Sequence, residues 1–162
     1  MKRPVLASRI LAAALTLCSA TAVIASSGRQ PDIPERIRGA QRVVVAQATN
    51  AVPMWRRSAF GDQLIITQIT LQVEETLKGT PASVLMMDIE GGTLNGVTLK
   101  VSSMPGLAPG ERGVFFLDQT TGGSHAPHLK GLGILKLDDN NTVRGSSLTV
   151  GEIRRMAQGA GR

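Results

Sequence analysis

One segment of the chain, residues 64–74 (LIITQITLQVE), alternates between two sets of side chains, one apolar and the other mostly polar. A period of two predicts a strand with one face on a core and the other toward water. Shorter apolar or β-branched runs occur at Arg42–Ala48, Val84–Glu90, Val97–Val101 and Gly113–Leu117. Because Gly- and Pro-containing turns separate these runs, the pattern predicts a mainly β fold, either a small antiparallel β-barrel or a sandwich of six to seven strands.

The remaining segments complete this plan. The run GVFFL is typical of a strand buried on both faces, and Leu129–Leu137 predicts a strand interrupted by glycines. Thr149 and Glu152 have the spacing of a helix capping box, so a short C-terminal helix is expected over Val150–Gln158. The predicted organisation is a signal peptide (1–25), a lead-in (26–41), a β-barrel domain (42–146), and a C-terminal helix and tail (147–162).

The first residues have the three parts of a secretory signal peptide. Three basic residues precede the apolar run Ile10–Leu17, and small residues follow it. We expect cleavage between Ala22 and Ser27, and therefore an exported protein, periplasmic or extracellular, with no membrane insertion after cleavage. Cys18 follows a leucine rather than a small residue, so lipid attachment is not expected.

Composition excludes several classes of function. Removing the signal leaves 15 basic and 12 acidic residues, a net charge of +3, and no cysteine for disulfides or thiolate chemistry. The four aromatic residues are too few for the stacking surfaces of single-strand nucleic-acid binders. We therefore expect no nucleic-acid partner.

The glycine-rich stretch IEGGTLNG, residues 89–96, resembles a phosphate-binding loop only in composition. Such a loop requires a following helix N-terminus, whereas the residues after Gly96 have the period of a strand. The stretch is interpreted as a turn between strands in which glycines supply positive φ.

Two other groups of residues are candidate chemical sites. His125 and His128 could share a metal if a carboxylate such as Asp118 completed the site. Ala126 and Pro127 between them indicate a loop rather than a helix, which favours two exposed loop histidines at the end of a polar, Gly-rich loop over 118–127. Asp88 and Glu90 share the outward face of one predicted strand, which favours a solvated sheet face. No catalytic residue and no cofactor are predicted.

The predicted connection Asn50–Gln63 is the candidate interaction loop. It contains Trp55, Arg56, Arg57 and Phe60, and Trp and Arg dominate the energetics of many interfaces. Fourteen residues is also long for a loop between paired strands, and long loops are often functional. The alternative is that Trp55 and Phe60 fold back and plug one end of the barrel.

The order of these segments resembles a family of uncharacterised exported bacterial β-domains, similar to the domain found ahead of matrixin-like metalloprotease modules. The resemblance covers Arg42–Leu137 and rests mainly on VEETLKG, on the pair Gly91-Gly92 and on PGERGVFFL. It implies a barrel of the oligonucleotide/oligosaccharide-binding (OB) or netrin-like kind, no established activity, and an accessory or recognition role.

The expected function is that of a non-enzymatic, exported β-domain that binds a protein, a peptide or an envelope component. Two alternatives stay open at this point. One is an inhibitor or regulator of an extracellular protease, which the netrin-like resemblance allows. The other is a metal-binding or hydrolytic domain that uses His125 and His128.

Overall fold

The computed structural model describes residues 29–58 and 60–160. The chain divides into two units, 1–30 and 31–162, and the elements described here all lie in the second. The predicted signal peptide lies outside the described residues. The elements, in chain order, are α1 (Ile33–Gly39), β1 (Arg42–Arg57), β2 (Gln63–Lys78), β3 (Val84–Glu90), β4 (Gly92–Leu94), β5 (Val97–Leu99), β6 (Arg112–Gln119), β7 (His125–Pro127), a 3-10 helix (Lys130–Gly133), β8 (Ile134–Lys136) and α2 (Val150–Ala160).

Five of the strands close into a ring. They pair in the order β1-β2-β3-β7-β6, and β6 pairs again with β1. All these pairings are antiparallel except the single parallel bridge between Met87 of β3 and His125 of β7. The prediction of a mainly β fold with a small barrel and a C-terminal helix is confirmed, and the ring has the five strands of an OB barrel.

The barrel interior forms one hydrophobic core. Side chains from all four of the longer ring strands meet there because alternate residues of each strand point inward. The buried members are Val44, Ala46, Ala48, Ile69, Leu71, Leu85, Met87, Ile89, Leu107, Phe115, Leu117 and Ile134.

A second core lies outside the barrel wall. The outward residues of β1 and β6 pack there against the two helices and the segment after β8. The buried members are Ile37, Ala40, Val43, Val45, Val114, Phe116, Leu137, Val143, Val150 and Ile153. Since Phe115 belongs to the first core and Phe116 to the second, the prediction that GVFFL is buried on both faces is confirmed.

Polar contacts fix the helices on the barrel. Lys78, the last residue of β2, donates three hydrogen bonds to the carbonyl oxygens of Ile37, Arg38 and Ala40, at 2.7, 2.9 and 2.6 Å. These contacts place a cation and three donors at the C-terminal end of α1, where helix carbonyls lack partners within the helix. On α2, Arg154 forms a two-pronged contact with Glu75 of β2, with both N–O distances at 2.6 Å.

Replacing Lys78 by methionine keeps most of the apolar stem and removes the cation that caps α1. We expect the free energy of unfolding to fall by about 1.5–3 kcal/mol, the range for hydrogen bonds to charged groups. Urea denaturation measures the change. Lys100→Met is the matched control, because Lys100 is exposed and its ammonium contacts no partner among the described residues. Equal stability losses in the two variants would contradict the capping role.

The predicted long loop over Asn50–Gln63 is wrong. Strand β1 continues to Arg57, and β2 begins at Gln63. The register is regular from Asn50–Thr70 to Arg57–Gln63. Asn50 and Pro53 have low strand propensity, so the local sequence does not predict that β1 extends through them. The extension is stabilised by pairing with β2, which the local sequence does not show.

Three shorter elements also differ from the prediction. The polar loop over 118–127 contains β7 at its end. The segment 129–137 is a 3-10 helix followed by a strand of only three residues rather than one interrupted strand. The described residues form eight strands, against six to seven predicted, because four of them have only three residues and leave no periodic signal.

Candidate functional site

The tip of the β1–β2 hairpin is the part of the barrel that the candidate residues occupy. The last paired residue of β3 is Glu90, opposite Ile66 of β2. The hairpin continues past this point through Trp55–Ile65, Arg56–Leu64 and Arg57–Gln63 before the turn. The structure thus places the four predicted interaction residues on a protruding hairpin rather than on a loop.

A groove of about 420 Å³ lies beside this tip, and we call it the hairpin groove. Its walls come from the hairpin, from the end of β3, and from β7 with the loop before it. The lining residues are Arg56, Arg57, Ser58, Phe60, Leu64, Ile66, Asp88, Ile89, Glu90, Thr120 and Ala126. Three of the four predicted residues therefore meet at one concave surface, and Trp55 does not line it.

Asp88 is the central polar group of the hairpin groove and is only 8% exposed. Arg56 Nη1 and Ser124 Oγ each donate to its Oδ2 at 2.5 Å, and Gln68 Nε2 donates to its Oδ1 at 3.1 Å. Burial alone would raise the pKa of this carboxyl, but the hydrogen bonds from Ser124, Arg56 and Gln68 outweigh it and hold the pKa below its usual value. Asp88 is therefore a carboxylate at neutral pH.

This carboxylate joins three separate parts of the barrel. Gln68 lies directly opposite Asp88 in the β2–β3 register, Arg56 comes from the hairpin, and Ser124 comes from the loop between β6 and β7. The prediction that Asp88 belongs to a solvated sheet face is wrong. An aspartate inside the apolar run VLMMDIE was a signal for a buried, partnered carboxylate, but its partners lie 20 to 36 residues away in the sequence.

The contact with Asp88 orients Arg56 without covering it. Arg56 uses Nη1 for the carboxylate, and 45% of its side chain stays exposed. A guanidinium has five donors, so its other N–H groups remain able to bind a partner at the groove.

The two aromatic residues of the hairpin are both accessible. Phe60 is 94% exposed in the turn, and Trp55 is 45% exposed. The alternative that Phe60 plugs the barrel is therefore wrong. Trp55 is paired with Ile65, and Arg56 is paired with Leu64. Trp55 therefore lies on the opposite face of the hairpin from Arg56 and Leu64.

The two histidines pack against the barrel and are not exposed loop residues. His125 is 8% exposed, and its Nδ1 lies 3.3 Å from the carbonyl oxygen of Met86. His128 Nδ1 lies 2.7 Å from Oδ2 of Asp118, and its ring fills the space beside Gly39 of α1. Within residues 29–58 and 60–160, no group of three or more His, Cys, Asp or Glu side chains could hold a metal ion.

The glycine stretch of residues 89–96 connects strands, as its interpretation requires. Asn95 and Gly96, both with positive φ, form the turn between β4 and β5. Gly92 allows β4 to lie against β2, because a Cβ there would come within 2.4 Å of the Thr67 hydroxyl oxygen. A larger cavity of about 540 Å³ lies beside this stretch. Its lining residues include no buried charged group, so the hairpin groove is the better candidate site.

The chain matches no family model and no curated protein. The resemblance to exported bacterial β-domains therefore stays a prediction. No helix in the described part of the chain is long and apolar enough to span a membrane.

Proposed function

We propose that the chain is an exported accessory module that binds another protein, and that the tip of the β1–β2 hairpin with the hairpin groove is its binding surface. The observation that carries this proposal is the near-complete exposure of Phe60 beside a guanidinium oriented by a buried carboxylate. Aromatic side chains and arginines are both enriched at protein interfaces relative to the rest of the surface.

The position of the groove supports the same proposal. In OB barrels, ligands bind the outer face of the second and third strands together with the loops that follow the first and fourth. Here those elements are β2, β3, the turn after β1 and the loop after β6, and all four contribute to the hairpin groove. The hairpin groove therefore lies at the position where OB barrels bind their ligands.

The apolar composition of the groove favours a protein over a nucleic acid or a free ion. Leu64, Ile66 and Ala126 line it, and the positive charge of Arg56 is balanced by Asp88. A surface of this kind gains free energy mainly by burying apolar area. Export is supported by the signal-like pattern of residues 1–25.

A photo-cross-linking amino acid placed at position 60 tests the proposal in the organism that makes the chain. We expect a discrete cross-linked protein from position 60 and none from position 97, which is the control because Val97 is 50% exposed on the separate β4–β5 hairpin. Identical products from both positions, or none from position 60, would contradict the proposed surface.

Phe60→Ser is the companion variant for affinity. Because Phe60 is almost fully exposed, the free energy of unfolding should change by no more than about 0.5 kcal/mol. Affinity for the cross-linked partner should fall about tenfold or more, as for an aromatic residue central to an interface. Titration of the purified partner measures the loss, and Val97→Ser is the control.

A further inference from the structure

One edge of β1 is open beside the hairpin groove. From Ala51 to Arg57 the strand pairs with β2 on one side. On the other side, β6 pairs only with Arg42–Gln47, and no strand in the described part of the chain continues beyond it. The backbone edge of these seven residues therefore has no strand partner within the described residues.

The register shows which backbone groups point away from β2. Pro53 has no N–H, so its pair with Thr67 cannot be one that exchanges two hydrogen bonds. Ser58 N–H donates to the carbonyl of Asp62 at 2.7 Å, which places the even-numbered residues in the hydrogen-bonded pairs. The odd-numbered residues, Trp55 and Arg57 among them, therefore direct N–H and C=O groups to the open edge.

The first half of this edge is blocked, and the second half is not. The side-chain oxygen of Asn50 accepts the N–H of Ala51 at 2.9 Å, and Pro53 offers no donor. Both are devices that prevent indiscriminate pairing at an edge strand. Trp55 and Arg57 keep both backbone groups, two residues apart, which is the spacing that an added strand needs.

We propose that this short edge, Trp55–Arg57, binds an extended segment of the partner protein as an added antiparallel strand. The inference rests on the proposed function and specifies how the partner is held. Backbone hydrogen bonds supply affinity in this mode of recognition, and the side chains that flank the edge supply specificity.

The side chains of the edge define the chemistry of the segment. The guanidinium of Arg57 contacts no partner among the described residues, and Trp55 is half exposed. In an antiparallel addition, the residue opposite Arg57 comes first and the residue opposite Trp55 follows two positions later. Opposite charges and apolar pairs are favourable across strands, so the segment carries an acidic residue, any residue, and then an apolar residue.

Selection of a random seven-residue peptide library displayed on phage against the full chain tests this inference. We expect enrichment of the acidic–any–apolar pattern. When the same library is selected for binding to the Arg57→Glu variant, we expect a basic residue in place of the acidic one. Selection for binding to Lys100→Glu, a change at an exposed residue outside the edge, should give the unchanged pattern.

N-methylation of the best peptide separates strand addition from other modes of binding. Methylating the backbone nitrogen of the acidic or the apolar residue should weaken binding about fivefold or more, because each of these N–H groups donates to the edge. Methylating the residue between them should change binding less than about twofold, since its N–H points away. Anisotropy titration of labelled peptides measures the three affinities.

Several outcomes would overturn the inference. They are no enrichment, a pattern indifferent to Arg57→Glu, equal effects of methylation at all three positions, or a dimer of the chain that occupies this edge in sedimentation. If cross-linking from position 60 still captures a partner, the proposed function stands, and the partner is held by the side chains of the hairpin rather than by its edge.

Discussion

Replacing Phe115 or Phe116 by alanine is expected to lower the free energy of unfolding by about 3–5 kcal/mol in each case. Both side chains are fully buried, Phe115 in the barrel interior and Phe116 between the barrel wall and the helices. The loss combines the apolar area removed from each core with the cavity left behind. Urea denaturation followed by circular dichroism measures both losses.

Phe60→Ala is the control for this pair, because it removes the same group from an exposed position. Its expected effect is within about 0.5 kcal/mol. A Phe116 variant as stable as the Phe60 variant would show that the outer core does not contribute to the stability of the barrel, and the two-core description would then be wrong.

Replacing Asp88 by alanine is expected to cost about 2–3 kcal/mol in the free energy of unfolding at neutral pH. The change removes a buried carboxylate that accepts hydrogen bonds from Arg56, Ser124 and Gln68, and it leaves these donors without their acceptor. Asp62→Ala is the control, because Asp62 is exposed and its carboxylate contacts no partner within the described residues. Similar losses for both variants would contradict the role given to Asp88.

The stability difference between the wild type and Asp88→Ala should depend on pH in one direction. The pKa of Asp88 is lower in the folded chain than in the unfolded chain, so the folded state releases this proton more readily. The contribution of the Asp88 carboxylate to the free energy of unfolding is therefore fully present above the ordinary pKa of an aspartate, about 4. It is lost as the pH falls through the lowered pKa of the folded chain. Denaturation curves between about pH 7 and pH 3 should show the two proteins converging. A constant difference would refute the linkage.

The local pattern of the sequence predicts those strands whose own residues alternate or are uniformly apolar. The segment 64–74 and the run GVFFL are of this kind, and both form strands where expected. The second half of β1 and the short strand β7 were missed because their residues depend on partners far along the chain. Pro53 lies at a strand edge, where no partner needs its missing N–H. His125 packs against β3, where its Nδ1 contacts the carbonyl oxygen of Met86.

The candidate site divides in the same way. The types of residue that suit an interface, Trp55, Arg56, Arg57 and Phe60, were evident from composition and spacing. Their arrangement was not, because Asp88 is joined to its partners by the closure of the barrel. The aspartate within VLMMDIE indicates a partnered carboxylate, but nothing near it in the sequence identifies the half-exposed Arg56 of the hairpin as its partner.

The two cores share the same two strands, and this limits how the chain can vary. Residues 43–46 of β1 and 113–117 of β6 are buried on both faces. In a sheet with one face in water, every second position can change freely, but these segments have no such position. We therefore expect these segments to tolerate fewer substitutions than the tip of the β1–β2 hairpin, where Trp55, Arg56 and Arg57 are exposed. The surface proposed for binding can change while the wall that supports it stays the same.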